Sequence, residues 1–273
     1  MDSAIAACER KRVLITGASS GIGSAFARRA AAAGAEPIIV ARRTERLDDL
    51  AESLRAQHNS VVHVIPADLA VPGAATGLAA TLQDQGLEVD VLINNAGIGV
   101  HGDVDDSSPS VVTAQTQLNV VALAELTTVL LAPMVSRGHG VVVNVASTAA
   151  FQPVPHMAVY AASKAFVLSF TRALWMETRT TGVDVVAVCP GATDTEFFDT
   201  AGQAASVGRR RSPEDVVDTT LRALRRRRHT TVDGFGNATL ASLAPRLPVR
   251  MSLTLAERSV RPSSPPAQHA PAN

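Results

Sequence analysis

Tyr160 and Lys164 stand four residues apart, a spacing that on a helix puts a phenol and an ammonium on one face. A phenol with its ordinary pKa of ~10 is a poor proton shuttle at neutral pH, and bringing it there takes roughly 4 kcal/mol of stabilisation of the phenolate. A neighbouring ammonium favours that ionised form. Tyr160 is the only tyrosine in the chain and Lys11 the only other lysine, so their pairing does not come from abundance. Ser147 follows the run Val141 to Ala146, where a strand end can aim its hydroxyl at a substrate oxygen. Together the three groups could polarise and protonate a carbonyl oxygen, or take the proton from an alcohol.

A second constellation lies near the start. A short apolar run ends in Thr16-Gly17-Ala18-Ser19-Ser20-Gly21-Ile22-Gly23, and a helix begins there. Glycine at such a turn permits positive φ and lets backbone N–H groups approach a pyrophosphate, while the helix directs its positive end at the same anion. Gly17, Ser19, Ser20, Gly21, Ile22 and Gly23 are therefore candidate contacts to a dinucleotide, although the G-x-x-x-G-x-G spacing differs from the common G-x-G-x-x-G. The next apolar run closes on Arg42-Arg43, where an acid would accept from a ribose 2′-hydroxyl. Arginine there offers a planar donor fork suited to a 2′-phosphate, which favours NADP(H) over NAD(H), with Arg42 the first candidate and Arg43 the second. The alternative is a surface pairing with Glu45 or Asp48.

Further along come Asn94-Asn95-Ala96-Gly97, Asn144-Val145-Ala146-Ser147 and Tyr160-Ala161-Ala162-Ser163-Lys164. In this order, over about 11–235, the set resembles the short-chain dehydrogenase/reductase family. The resemblance implies that a ketone and a secondary alcohol are interconverted by hydride exchange with a nicotinamide. It implies Tyr160 as general acid in reduction and base in oxidation, Ser147 on the substrate oxygen, and Lys164 also on the nicotinamide ribose. Asn119 would anchor a proton-relay water; a buried Asn satisfied by backbone is the alternative. Asp68 and Leu69 look like the family's adenine-contacting pair, though Asp68 could simply open a helix. Asn94, Ala96 and Gly97 would lie beside the adenosine ribose. Pro190-Gly191-Ala192-Thr193-Asp194-Thr195 resembles the loop that holds the carboxamide, with Thr195 as side-chain donor. Homo-oligomers, dimeric or tetrameric, are common in the family.

These groups need a scaffold that delivers several strand ends to one edge. Short β-branched runs alternate with longer segments of helical period, the pattern of repeated βαβ units. Strands are predicted near 12–16, 36–41, 61–66, 89–94, 140–146, 183–189 and 229–233, and helices near 21–33, 44–57, 74–85, 110–136, 157–180 and 213–226. The expected fold is a Rossmann-like, doubly wound parallel sheet of about seven strands with helices on both faces. Residues 11–235 form the expected cofactor-binding and catalytic domain, 236–260 a broken amphipathic cap, and 261–273 a disordered tail.

Composition narrows the rest. The chain has 273 residues, 46% hydrophobic, with 25 basic and 25 acidic residues in balance, so no global field recruits nucleic acid. Cys8 and Cys189 indicate neither a disulfide framework nor a metal cluster, and a reducing cytoplasmic setting is expected. No export signal is read at the N-terminus, and the run Val111 to Val135 falls short of a bilayer span because Asn119, Glu125 and Pro133 interrupt it. The cap at 237–260 leaves peripheral membrane contact as a further possibility. Phe151, Val154, Met157, Phe197 and Phe198 point to an apolar pocket wall, and His156 to a substrate contact or a structural histidine. Arg209-Arg210-Arg211 could meet an acidic thioester arm, and a lipophilic, steroid-like ketone is the rival substrate. A redox-sensing NADP-binding protein without turnover is the alternative to an enzyme.

Overall fold

A computed structural model of the protein describes residues 11–202 and 205–261. The predicted disordered tail from 262 onward and Cys8 lie outside the described residues. Seven parallel strands form one sheet: β1 (Arg12–Thr16), β2 (Glu36–Ala41), β3 (His63–Pro66), β4 (Val91–Asn94), β5 (Gly140–Val145), β6 (Val183–Cys189) and β7 (Thr230–Val232), in the order β3-β2-β1-β4-β5-β6-β7. The helices are α1 (Gly21–Ala32), α2 (Thr44–His58), α3 (Ala74–Asp84), α4 (Pro109–Thr116), α5 (Leu123–Arg137), α6 (Ala158–Thr178), α7 (Phe197–Ala201), α8 (Pro213–Arg225), α9 (Phe235–Leu243) and α10 (Val249–Val260).

Strand parity divides the core. On β1, Val13 and Ile15 pack with Phe26 of α1, Leu47 of α2 and Val217 of α8. Leu14 turns to the opposite face, with Leu78 of α3, Leu126 of α5 and Leu174 of α6. Both faces of each strand are therefore apolar, which is why these strands read as uninterrupted runs. Gly34 takes a positive φ just past α1, and Ser212 opens α8 with a reciprocal capping box to Asp215.

The structure departs from the expected elements where tertiary pairing overrides local pattern. β3 pairs only with β2, and the expected strand loses Val61 and Val62; Val61 is exposed. The single helix expected near 110–136 is interrupted by a π-helical segment, Gln117–Ala122, around Asn119. Contrary to the sequence-based expectation, the 29-residue stretch Pro109–Arg137 is, by length and composition, apolar enough to cross a membrane. Its residues Leu123, Leu126, Leu130 and Met134 are nevertheless buried in the fold.

The order reverses direction between β1 and β4, and at such a switch point the loops leaving the carboxyl ends part to form a crevice. The motifs that follow β1, β2, β3, β4, β5 and β6 leave the sheet at that edge. The C-terminal segment closes over the same edge as α9, a 3₁₀ turn at Ala244–Arg246, and α10.

Candidate active site

A cleft of about 450 Å³ runs along the carboxyl edge of the sheet. At one end the glycine-rich turn is held down by Asn95, whose side-chain amide donates to the Thr16 and Gly17 carbonyls at 3.0 and 3.2 Å. The Asn95 and Ala96 N–H groups both donate to Thr16 Oγ1, each at 3.0 Å. Gly17 sits at φ +67°, and a Cβ there would lie 2.9 Å from Ala96 Cα. The turn thus exposes bare backbone beside a helix N-terminus, a cradle for an anion that side chains would fill.

Arg42 and Arg43 line the next stretch, with Asp68 and Leu69. Neither arginine pairs with Glu45 or Asp48. Arg42 faces Asp68 across 3.8 Å, whereas Arg43 donates to Ser19 Oγ at 2.9 Å, Ser20 Oγ at 3.1 Å and Glu196 Oε2 at 2.8 Å. Arg46 and Arg43 together hold the Glu196 carboxyl below the usual carboxylate range. Asp68 also accepts from the Ala70 N–H at 3.0 Å, so it organises its own turn while facing the cleft.

At the other end Ser147, Tyr160 and Lys164 converge. Ser147 follows β5 and Tyr160 and Lys164 lie on α6, so helix phase and strand end bring them to one wall. Ser147 Oγ accepts from the Ala149 N–H at 3.1 Å, and Lys164 Nζ donates to the Val145 carbonyl at 2.8 Å and lies 5.8 Å from the Tyr160 ring centroid. Burial pushes the Tyr160 phenol up to about 12, partly offset by the nearby Ser147 hydroxyl. Burial likewise pushes Lys164 down to about 8. This corrects the simple expectation of an ammonium that pulls the phenol toward ionisation: in the protein alone, desolvation dominates and keeps the phenol protonated. Pro190, Gly191, Thr193 and Thr195 border the same region, and Thr195 Oγ1 accepts from the Phe197 N–H at 3.3 Å.

Three predicted contacts do not line the cleft. Gly23 lies beneath the turn, where a Cβ would come 2.3 Å from the Gly17 carbonyl oxygen; it shapes the cradle from behind. Asn94 points into the sheet, donating to Thr127 Oγ1 at 2.8 Å and Asn144 Oδ1 at 2.9 Å, because the parity of β4 leaves the outward place to Asn95. Asn119 donates to the Ile98 carbonyl at 2.8 Å and Ser163 Oγ at 3.0 Å and accepts from the Ile98 N–H at 3.0 Å, so its side chain is committed to protein groups. Asn95, Gln152, Glu196 and Asn237 are among the cleft-lining residues that the motifs did not flag. Only the doubled Asn94-Asn95 carried a signal, since either could have been the outward one.

Other expectations resolve structurally. His156 lies outside the cleft lining at φ +60°, with Nδ1 2.7 Å from Asp103 Oδ1. Arg211 binds the buried Asp233 at 2.6 Å, and Arg210 stacks on Phe198 with its guanidinium carbon 4.3 Å from the ring centroid. These two arginines fasten the loop after β6 and do not form a free anionic-arm site. Among the described residues no cluster of His, Cys, Asp and Glu could hold a metal, and Cys189 is buried and pushed up to about 12 by that burial.

A parallel sheet with a glycine-lined anion cradle at its switch point, leading to a Ser–Tyr–Lys wall, defines a dinucleotide-dependent oxidoreductase. A family model described as short chain dehydrogenase matches residues 11–206, and the chain belongs to that family. It is similar to ketoacyl reductase HetN of Nostoc sp., at 32% identity over 93% of this chain and 86% of that protein. A short-chain dehydrogenase from Sphingobium yanoikuyae, solved in complex with NADPH, superposes with a TM-score of 0.79 at 32% identity, covering 96% of this chain and 99% of that one. The bulky-bulky ketone specific alcohol dehydrogenase from Comamonas testosteroni gives 0.75 at 30% identity, covering 87% and 93%. The protein is accordingly an enzyme acting on CH–OH groups with NAD(P) as acceptor.

Proposed function

We propose that this enzyme is an NADP(H)-dependent ketoreductase that interconverts a hydrophobic ketone and its secondary alcohol. The observation that carries this is the juxtaposition of Ser147, Tyr160 and Lys164 with an apolar chamber formed by Phe151, Val154, Met157, Phe197 and Val207. A sugar or a small polar carbonyl would leave much of that apolar lining uncovered and in contact with water. When bound, the nicotinamide supplies or accepts the hydride. Tyr160 donates its phenolic proton to the carbonyl oxygen while Ser147 holds that oxygen by a hydrogen bond, and both positions are fixed before substrate arrives. Lys164, anchored on the Val145 carbonyl, supplies positive charge that offsets the phenolate left after proton transfer. Asn119 acts as a positioning residue, tying Ile98 to Ser163 on α6 one residue before Lys164.

The absence of an acid after β2 and the presence of Arg42 and Arg43 in the cleft lining support NADP(H) as the preferred cofactor. The NADPH complex of the Sphingobium yanoikuyae neighbour supports it too. The likeness to ketoacyl reductase HetN favours a second substrate reading, an acyl-thioester ketone in the same chamber. Neither reading is a redox sensor, because a site that only binds needs no phenol beside Ser147 and Lys164 on the cleft wall.

The test is NADPH oxidation with a panel of bulky aryl and alkyl ketones and a 3-ketoacyl thioester. Tyr160→Phe should lower kcat at least ~100-fold, the scale of general acid catalysis, while NADPH still binds. Turnover that survives in Tyr160→Phe would remove the phenol from the reaction, and no turnover in the unmodified protein with any ketone would return the sensor.

A further inference from the structure

The C-terminal roof of the cleft is built inside out. The roof turns mostly small side chains inward: Ala241 of α9, Ala244 of the 3₁₀ turn, and Ala256 and Val260 of α10 are buried and line the cleft. On α10 the buried positions Ser252, Ala256 and Val260 recur every four residues, so one face of the helix is committed to the protein. Most of the large apolar side chains face away, while Leu240 of α9 also reaches the cleft lining. Phe235 is 90% exposed and Val249 69%, while Leu243, Met251 and Leu255 are each about half exposed. A surface helix of a globular protein ordinarily does the reverse, burying its large apolar stripe and showing solvent its polar one. Single exposed apolar residues need no account, but several on one short segment mark a contact surface.

Charge narrows the contact. Between 235 and 261 the sequence has four arginines, Arg246, Arg250, Arg258 and Arg261, against one acid, Glu257. Glu257 is occupied, accepting from Arg261 at 2.7 Å and facing His156 Nε2 at 3.9 Å. The side chains of Arg250 and Arg258 make no hydrogen bond or ion pair among the described residues. The outer surface of the roof therefore mixes exposed aliphatic groups with four cations against one acid, Glu257, which Arg261 binds and Arg258 also attracts.

We propose that the outer face of α9 and α10 docks on an anionic lipid bilayer. The aliphatic side chains and Phe235 would enter the boundary between headgroups and acyl chains, and the arginines would reach lipid phosphates. A second copy of the chain answers the apolar groups but not the charge, because a two-fold contact opposes the same four arginines to themselves. A lipid surface answers both. Docking there leaves the cleft, on the inner side of the same helices, facing the membrane boundary. The proposal holds whatever ketone the enzyme reduces.

Sedimentation of the full chain with vesicles tests it. Phosphatidylcholine vesicles are compared with vesicles that also contain phosphatidylglycerol, at low and high salt. The protein should partition onto the anionic vesicles at least about tenfold better than onto neutral ones, and salt should weaken that partition. The double variants Arg250→Glu/Arg258→Glu and Leu243→Asp/Leu255→Asp should each lose it, with NADPH-dependent turnover of a water-soluble ketone unchanged. Failure of the unmodified protein to bind either vesicle overturns the proposal without any variant. Binding that ignores lipid charge and survives both variants overturns it as well. Self-association by light scattering that Leu243→Asp/Leu255→Asp abolishes, with no vesicle binding, assigns the face to a second copy instead.

Discussion

Adding one methyl group to the glycine-rich turn separates packing from sequence habit. In Gly23→Ala an ideal Cβ lies 2.3 Å from the Gly17 carbonyl oxygen and 2.7 Å from Asn95 Nδ2, where carbon and oxygen ordinarily stay at least about 3.3 Å apart. The overlap is roughly 1 Å, and neither neighbour yields freely. The Gly17 carbonyl accepts from Asn95 at 3.2 Å, the same amide is held by the Thr16 carbonyl at 3.0 Å, and Thr16 Oγ1 binds two further backbone N–H groups. The methyl must therefore part the loop after β1 from the loop after β4. Overpacking of this kind costs about 1–3 kcal/mol, which for a chain of this size lowers Tm by roughly 2 to 12 °C. Gly77, exposed in the middle of α3 with nothing within 4 Å of a Cβ, provides the control. Alanine there removes backbone freedom from the unfolded chain and raises stability by about 0.5–1 kcal/mol. Calorimetry without cofactor should thus give shifts of opposite sign for one chemical change, and a fluorescence titration should show NADPH affinity reduced at least ~10-fold in Gly23→Ala alone. A Gly23→Ala protein that melts and binds NADPH like the unmodified one would refute the cradle.

The remaining predictions concern charge. Lys164 is buried with its pKa lowered from 10.5 to about 8, so between those values the unfolded chain binds more protons than the folded one and stability rises with pH. The drop corresponds to on the order of 3 kcal/mol of destabilisation below pH ~8, so Lys164→Met should melt higher than the unmodified protein near neutrality and lose that advantage toward pH ~10; equal differences at both pH values would contradict it. Arg42→Ala/Arg43→Ala should lower the preference for NADPH over NADH at least ~10-fold, with Arg42→Ala alone giving most of it, since Arg43 is already engaged by Ser19, Ser20 and Glu196. Equal use of both cofactors by the unmodified enzyme would end that assignment. Because oxidation needs the Tyr160 phenolate and reduction needs the phenol, kcat/KM for alcohol oxidation should climb between about pH 7 and 9 while that for ketone reduction does not. Parallel profiles in the two directions would show that Tyr160 is not the titrating group.

Most of the fold was legible because its signals are local. Val13, Leu14 and Ile15 read as a strand buried on both faces, and the structure divides them between the two helical layers. The motifs were legible for the same reason: each is a short string at a strand end, and the sheet order brings the ends together. What escaped depends on direction or distance. Nothing in Asn94-Asn95 says which side chain faces out, since that follows from strand parity fixed by pairing with β5. Glu196 joins Arg43 across 153 residues. The helix-period pattern near 110–136 hid the π-helical segment at Gln117–Ala122. On α10 the apolar residues are visible, but the small ones at 252, 256 and 260 take the inner face, which inverts the usual inference from amphipathic pattern.

The least legible property is also the one that orients the chemistry. From sequence, Lys164 beside Tyr160 reads as a device for making phenolate. In the folded chain both groups are desolvated, and desolvation moves them in opposite directions: the phenol up to about 12 and the ammonium down to about 8. Both changes favour the neutral forms, so the phenol keeps its proton at physiological pH until charge in the site stabilises the phenolate. The Ser147 hydroxyl works against this but is the smaller influence. A site poised in this way holds the proton that a ketone oxygen needs and releases it only when negative charge develops there. Proton transfer in either direction therefore requires positive charge that stabilises the phenolate, which Lys164 supplies in part and which higher pH assists in oxidation.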